Sequence, residues 1–134
     1  MNQSLFALLL FAAWTVLLIL MVISYRSIQV LLGKKKSNDF TPGVKHGTER
    51  YWQMSRAQSN AIENLPIFAA LVLIGNVAGY VDTQFINACY LVVGARIGQS
   101  ITHLISTSVI AVNIRFTFYV TQLASFVYLI FKMI

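Results

Sequence analysis

Arg56, Asn60 and Glu63 stand four and three residues apart in the chain, a spacing that puts them on one helical face within about 60° at roughly 100° per residue. Further on, Arg96, Gln99, Ser100 and His103 repeat three-and-four spacing, and Arg115, Tyr119 and Gln122 do so again. Most of these residues sit in apolar surroundings, where an ionisable side chain costs about 2.5 to 3.5 kcal/mol to insert and normally faces a bundle interior or a cavity. Two such stripes facing each other would line a wet, cationic pocket, and Lys36 falls at the same level. Several cations with one carboxylate suit an anionic ligand that also carries an amine, because guanidiniums grip carboxylates in forked pairs and Glu63 accepts from an ammonium. An arginine beside a thiol would favour its thiolate, starting from a pKa near 8.5, and so create a nucleophile at neutral pH.

Plainer roles are open to the same residues. Arg56 and Glu63 form an ion pair in one such reading, which lets two charges into a helix bundle. His103 serves equally as an interhelical hydrogen-bonding residue; it has no metal-ligand partner at suitable spacing, so no metal is expected. Arg115 is either a functional cation or an anchor at the membrane surface, the role expected of Arg26, Arg50 and the lysine run. Tyr119 either donates to a ligand sulfur or simply packs. Spacing alone names neither the ligand nor the roles.

The elements that must position these groups are membrane helices. Of 134 residues, 57% are hydrophobic and 10% charged, against about a quarter charged in a soluble domain. Apolar runs of roughly 20 residues recur along the chain, and no segment alternates as a membrane β-strand does. The fold class expected is an all-α integral membrane four-helix bundle, one domain over residues 1–134, with spans near 2–32, 51–79, 85–105 and 112–133. The first run has no basic residue before it and Lys34, Lys35 and Lys36 after it, the reverse of a cleaved signal peptide, so it is expected to remain as a span. It contains no acidic residue, unlike the first span of a small proton-coupled multidrug exporter.

The loop 33–50 carries Lys34, Lys35, Lys36, Lys45 and Arg50 against Asp39 and Glu49. The positive-inside bias places that loop in the cytoplasm and both termini opposite. The net charge of +6 then reflects topology and anionic substrates rather than nucleic acid. The second helix starts polar, and at about 1.5 Å per residue it projects past a hydrocarbon core of about 30 Å. Pro66 and Gly79 shape it. The turn before the fourth span is weakly marked, with Asn113 as the candidate cap. Cys89, the single cysteine, is expected to be a buried free thiol.

The segment Arg56-Ala57-Gln58-Ser59-Asn60-Ala61-Ile62-Glu63-Asn64-Leu65-Pro66-Ile67-Phe68 resembles the second-helix signature of the membrane-associated proteins in eicosanoid and glutathione metabolism. Leukotriene synthase and the microsomal glutathione transferases are members of that family. The resemblance spans the chain: a basic loop after the first span, Arg96 in the third and Arg115 at the start of the fourth. It implies a homotrimer with glutathione sites between subunits near the cytoplasmic face. In that frame Arg56, Asn60 and Glu63 bind glutathione, Arg96 pairs with one of its carboxylates, and Lys36 reaches in from a neighbour. Gln99, Ser100 and His103 line the site where relatives have tyrosines or a histidine, and Arg115 stabilises the thiolate. The activity implied is glutathione transferase or peroxidase, acting on a lipophilic electrophile or lipid hydroperoxide that enters from the bilayer, with detoxification as its use and, for a bacterial source, the inner membrane as its place. A non-enzymatic lipid-binding branch of the same family is the alternative.

Overall fold

The computed structural model of the chain describes residues 1–33, 48–105 and 108–134. They form four helices: α1 (Gln3–Leu31), α2 (Glu49–Ala78), α3 (Thr83–Ile105) and α4 (Val109–Met133). Each start is capped by a short polar side chain that takes up an otherwise unpaired backbone N–H. The Asn2 side-chain oxygen accepts from Leu5 N at 3.0 Å, Thr48 Oγ1 from Tyr51 N at 3.2 Å, and Asp82 Oδ1 from Phe85 N at 2.9 Å. For α4 the cap is Ser108, whose Oγ accepts from Ala111 N at 3.2 Å. Asn113, the cap offered by the sequence, lies in the second turn, where its carbonyl accepts from Thr117 Oγ1. α2 ends at Gly79, whose φ of 80° is left-handed, a conformation glycine adopts without a Cβ clash.

By length and composition, α1, Tyr51–Ala78 of α2 and α4 are each apolar enough to cross a membrane. α3 carries more polar residues, and it buries them by packing against all three of the others. α2 likewise packs on the other three, while among the described residues α1 and α4 do not pack together. The architecture is an integral membrane four-helix bundle with α2 and α3 at its centre. Pro66 lies inside α2 and removes one intrahelical bond, freeing the carbonyl of Ile62.

Half of the bundle, at the end where α1 starts and α2 stops, is filled by Phe11, Phe68, Phe85, Val92, Phe126 and Leu129. The Phe11 and Phe68 rings lie 5.2 Å apart between centroids. Gly75 lets α2 approach α3 there: a Cβ at that position would fall 2.4 Å from the Phe85 ring. Gly98 does the same for α4, with Phe118 at 2.8 Å. Cys89 is buried in this core as a free thiol.

Candidate functional site

The opposite half of the bundle, toward the loop between α1 and α2, holds the polar side chains. Phe11 is the boundary, since the Arg96 guanidinium carbon lies 5.8 Å from its ring centroid. Arg96 is 1% exposed, and its Nε and Nη2 have no hydrogen-bond partner. One turn along α3, Ser100 is equally buried and its hydroxyl is also unpartnered. A buried donor without an acceptor costs about 1 to 3 kcal/mol, so each of these groups needs an acceptor that the described residues do not supply.

Beside them, three helices meet at His103. Its Nε2 is 3.0 Å from the Asn60 side-chain amide on α2, and its Nδ1 is 2.7 Å from Arg115 Nη1 on α4. Arg115 Nε is buried and unpartnered. Glu63 acts electrostatically on Arg96, and Arg56, Arg96 and Arg115 all act on His103, so the charges selected by spacing do converge on one region.

They do not converge equally. Arg96, Gln99, Ser100 and His103 are buried inside the bundle, whereas Arg56 and Glu63 are exposed and Asn60 and Arg115 are half-buried. Among the described residues the hydrogen bond between the two stripes is that of Asn60 with His103, and the rest of the α2 stripe looks outward. Among the described residues no ion pair joins Arg56 to Glu63, and Arg56 instead lies over the Trp52 ring at 5.9 Å. The ion-pair reading of these two residues is thus not realised within the chain.

Gln99 is held in a buried amide chain: Gln122 Nε2 donates to Gln99 Oε1 at 2.8 Å, and Asn64 Nδ2 reaches Gln122 Oε1 at 3.5 Å. This chain joins α2, α3 and α4 directly beneath the His103 contacts. Spacing had grouped Gln122 with Arg115 but gave no sign that Asn64 completes the set. Trp14 was also missed; its indole Nε1 is buried and unpartnered, and nothing in an apolar run distinguishes it. Tyr119 is 38% exposed. Lys36 lies outside the described residues. Among the described residues, no three His, Cys, Asp or Glu side chains are grouped to hold a metal.

At the loop end of α1 and α2, Tyr25 stacks on Tyr51 with centroids 4.5 Å apart, and Arg26 Nε donates to Tyr51 Oη at 2.8 Å. Aromatic rings and a snorkelling arginine mark a membrane–water interface, so the His103 cluster lies close to that surface.

Comparison with known proteins adds one finding. The model of the MAPEG family matches residues 4–134, nearly the whole chain. No curated protein matches it.

Proposed function

The chain belongs to the MAPEG family, whose general role is glutathione-related transferase or synthase chemistry in membranes, and on that premise we propose that it is a glutathione transferase or peroxidase. The observation that carries this reading is the meeting of Asn60, His103 and Arg115 from three helices beside the unsatisfied donors of Arg96 and Ser100. A wholly structural cluster would pair those donors internally.

In this reading Arg56, Asn60 and Glu63 hold glutathione, with Glu63 accepting from its ammonium and the arginines taking its carboxylates. Arg96 takes one carboxylate from within the bundle, Gln99 and Ser100 line that side, and Lys36 of a neighbouring copy completes the grip. Arg115 sits at the sulfur; its charge favours loss of the thiol proton to water and stabilises the thiolate. The sulfur then attacks an electrophilic carbon, forming a C–S bond as the leaving group departs. Alternatively it attacks a peroxide oxygen, breaking the O–O bond to give an alcohol and oxidised glutathione sulfur, which a second glutathione converts to the disulfide and water.

The exposed Arg56 and Glu63 supply the argument for assembly. A charged side chain facing lipid is costly, and covering this face of α2 with a second copy removes that cost while closing the site. A homotrimer with shared sites follows in this reading, with the basic loop in the cytoplasm and the second substrate arriving from the bilayer.

Ultraviolet absorbance of the glutathione thiolate, on mixing reduced glutathione with the purified protein at neutral pH, tests the reading. A band that saturates with glutathione supports both ligand and activation. Absence of the band, together with no heat of binding, would replace it with the lipid-binding alternative.

A further inference from the structure

We infer that His103 is a positioning residue for Arg115, fixed in its neutral Nε2–H form between the Asn60 carbonyl oxygen and the Arg115 guanidinium. The assignment follows from counting donors and acceptors. Arginine only donates, and its Nη1 is 2.7 Å from His103 Nδ1, so Nδ1 must carry the lone pair. A neutral imidazole has one N–H, which is therefore on Nε2. The Asn60 atom 3.0 Å from Nε2 is the amide nitrogen Nδ2, a donor that cannot face an N–H, so the amide must be turned by 180° to set Oδ1 toward the ring, the orientation of an amide being assigned from its network.

Two consequences follow. Asn60 turns its NH2 away from His103, toward the exposed face of α2 that carries Arg56 and Glu63, where it donates to a ligand carbonyl or carboxylate. Arg115 has one N–H tied to the ring while its buried Nε stays uncommitted, so the guanidinium is held in one place with donor capacity left over. A doubly protonated ring does not fit this contact, because an N–H at Nδ1 would point at the Arg115 N–H only 2.7 Å away. Gln99 and Ser100, on the same face of α3, bring no negative charge.

This deepens the proposed glutathione chemistry and rests on it: His103 touches neither sulfur nor electrophile in this account and acts through Arg115. It also explains why a histidine serves here. A side chain is needed that accepts on one edge and donates on the other, across the gap between α2 and α4, and glutamine is a neutral side chain of similar reach with that pairing.

Two experiments test it. Nitrogen-15 NMR of the purified protein without glutathione, with His46→Gln to remove the other histidine, should show one His103 nitrogen of the protonated type at Nε2 and one lone-pair nitrogen at Nδ1. An Nδ1–H form or a doubly protonated ring at neutral pH overturns the assignment. The second compares His103→Phe with His103→Gln. The phenylalanine variant should raise the apparent pKa of bound glutathione by about one unit, equivalent to about tenfold less thiolate, and lower kcat by a similar factor, with the glutathione KM within about threefold. The glutamine variant should restore most of both. Loss of KM with the bound thiol pKa unmoved would make His103 a ligand contact, and loss of thermal stability alone would make it structural; either overturns the positioning role. If wild-type protein binds no glutathione, the functional reading falls, while the nitrogen-15 result still judges the tautomer independently.

Discussion

The two halves of this bundle are built from the same four helices but follow opposite rules. In the half where α1 starts, every large buried side chain is apolar and the helix ends are tied off. Asn2 donates to Asn76, Asn76 donates to Ser4 Oγ, and Lys132 Nζ is 2.8 Å from Asp82 Oδ2. In the half toward the long loop, buried polar groups are numerous and several donors remain unpaired. Satisfied polar groups stabilise and rigidify, while unpaired ones carry a cost that a fold keeps only for a purpose. On the proposed reading the first half is a scaffold and the second holds the chemistry.

The sharpest way to break that division is Arg115→Ala. Removing one preorganised cation from a developing or resting anion costs on the order of 10²-fold in rate, so turnover should fall by about that much while assembly and thermal stability stay near wild type. Full activity in detergent would remove Arg115 from the chemistry and return it to the role of a surface anchor. Glu63→Ala is the next largest. Losing one charge-assisted hydrogen bond to the glutathione ammonium should raise the glutathione KM roughly tenfold and leave kcat nearly unchanged. A fall in kcat with KM intact would contradict a purely binding role.

The scaffold half answers to a different assay. In Gly75→Ala the added Cβ would lie 2.4 Å from the Phe85 ring, so α2 and α3 must separate or the ring must turn. Overpacking of this kind costs on the order of 1 kcal/mol or more, read as a lower melting temperature. Thiolate absorbance per folded protein should hold, because the Asn60, His103 and Arg115 contacts lie at the far end of the bundle. Loss of the thiolate band at full stability would show that the halves are coupled.

The same division explains what could be read in the sequence. Long apolar runs declare membrane helices, and polar residues at helical spacing declare shared faces, so the all-α bundle and the stripes through Arg56 and Arg96 were visible. Spacing does not say which way a face points. It could not tell that the α3 stripe is interior while Arg56 and Glu63 look outward, because that depends on how α3 rotates against its three neighbours. Pairings across helices are invisible for the same reason: Gln122 with Gln99 and Asn64, or Arg115 with His103, are set by packing between segments far apart in the chain. The start of α4 is open in the sequence because Ser108, in a Ser/Thr cluster, and Asn113 are both good caps by type. Ser108 caps the helix, with its hydroxyl on Ala111 N, while Asn113 falls inside the helix, where its carbonyl pairs with Thr117.

The smallest expected effect concerns the tie between Asp82 and Lys132 at the end of the scaffold. Asp82 lies in the connection between α2 and α3. The Lys132 ammonium, joined by the Phe85 N–H, holds its carboxyl below the usual aspartate value. A carboxylate whose folded pKa is depressed contributes stability that is fully present above its unfolded pKa, near 3.9, and is lost as pH falls through the lower folded value. Asp82→Asn keeps an oxygen to cap α3 but loses the charge, so it should lower the melting temperature slightly at neutral pH. As pH drops below about 4 the wild type should converge on the variant. Because the Asp82 side chain is 54% exposed, salt should shrink the neutral-pH difference as well. A difference that persists unchanged into acid and high salt would mean the cap, rather than the charge, is what the asparagine disturbs. The scaffold would then be held at this end by the side-chain cap on Phe85 N and the Asn2, Asn76 and Ser4 contacts rather than by the ion pair.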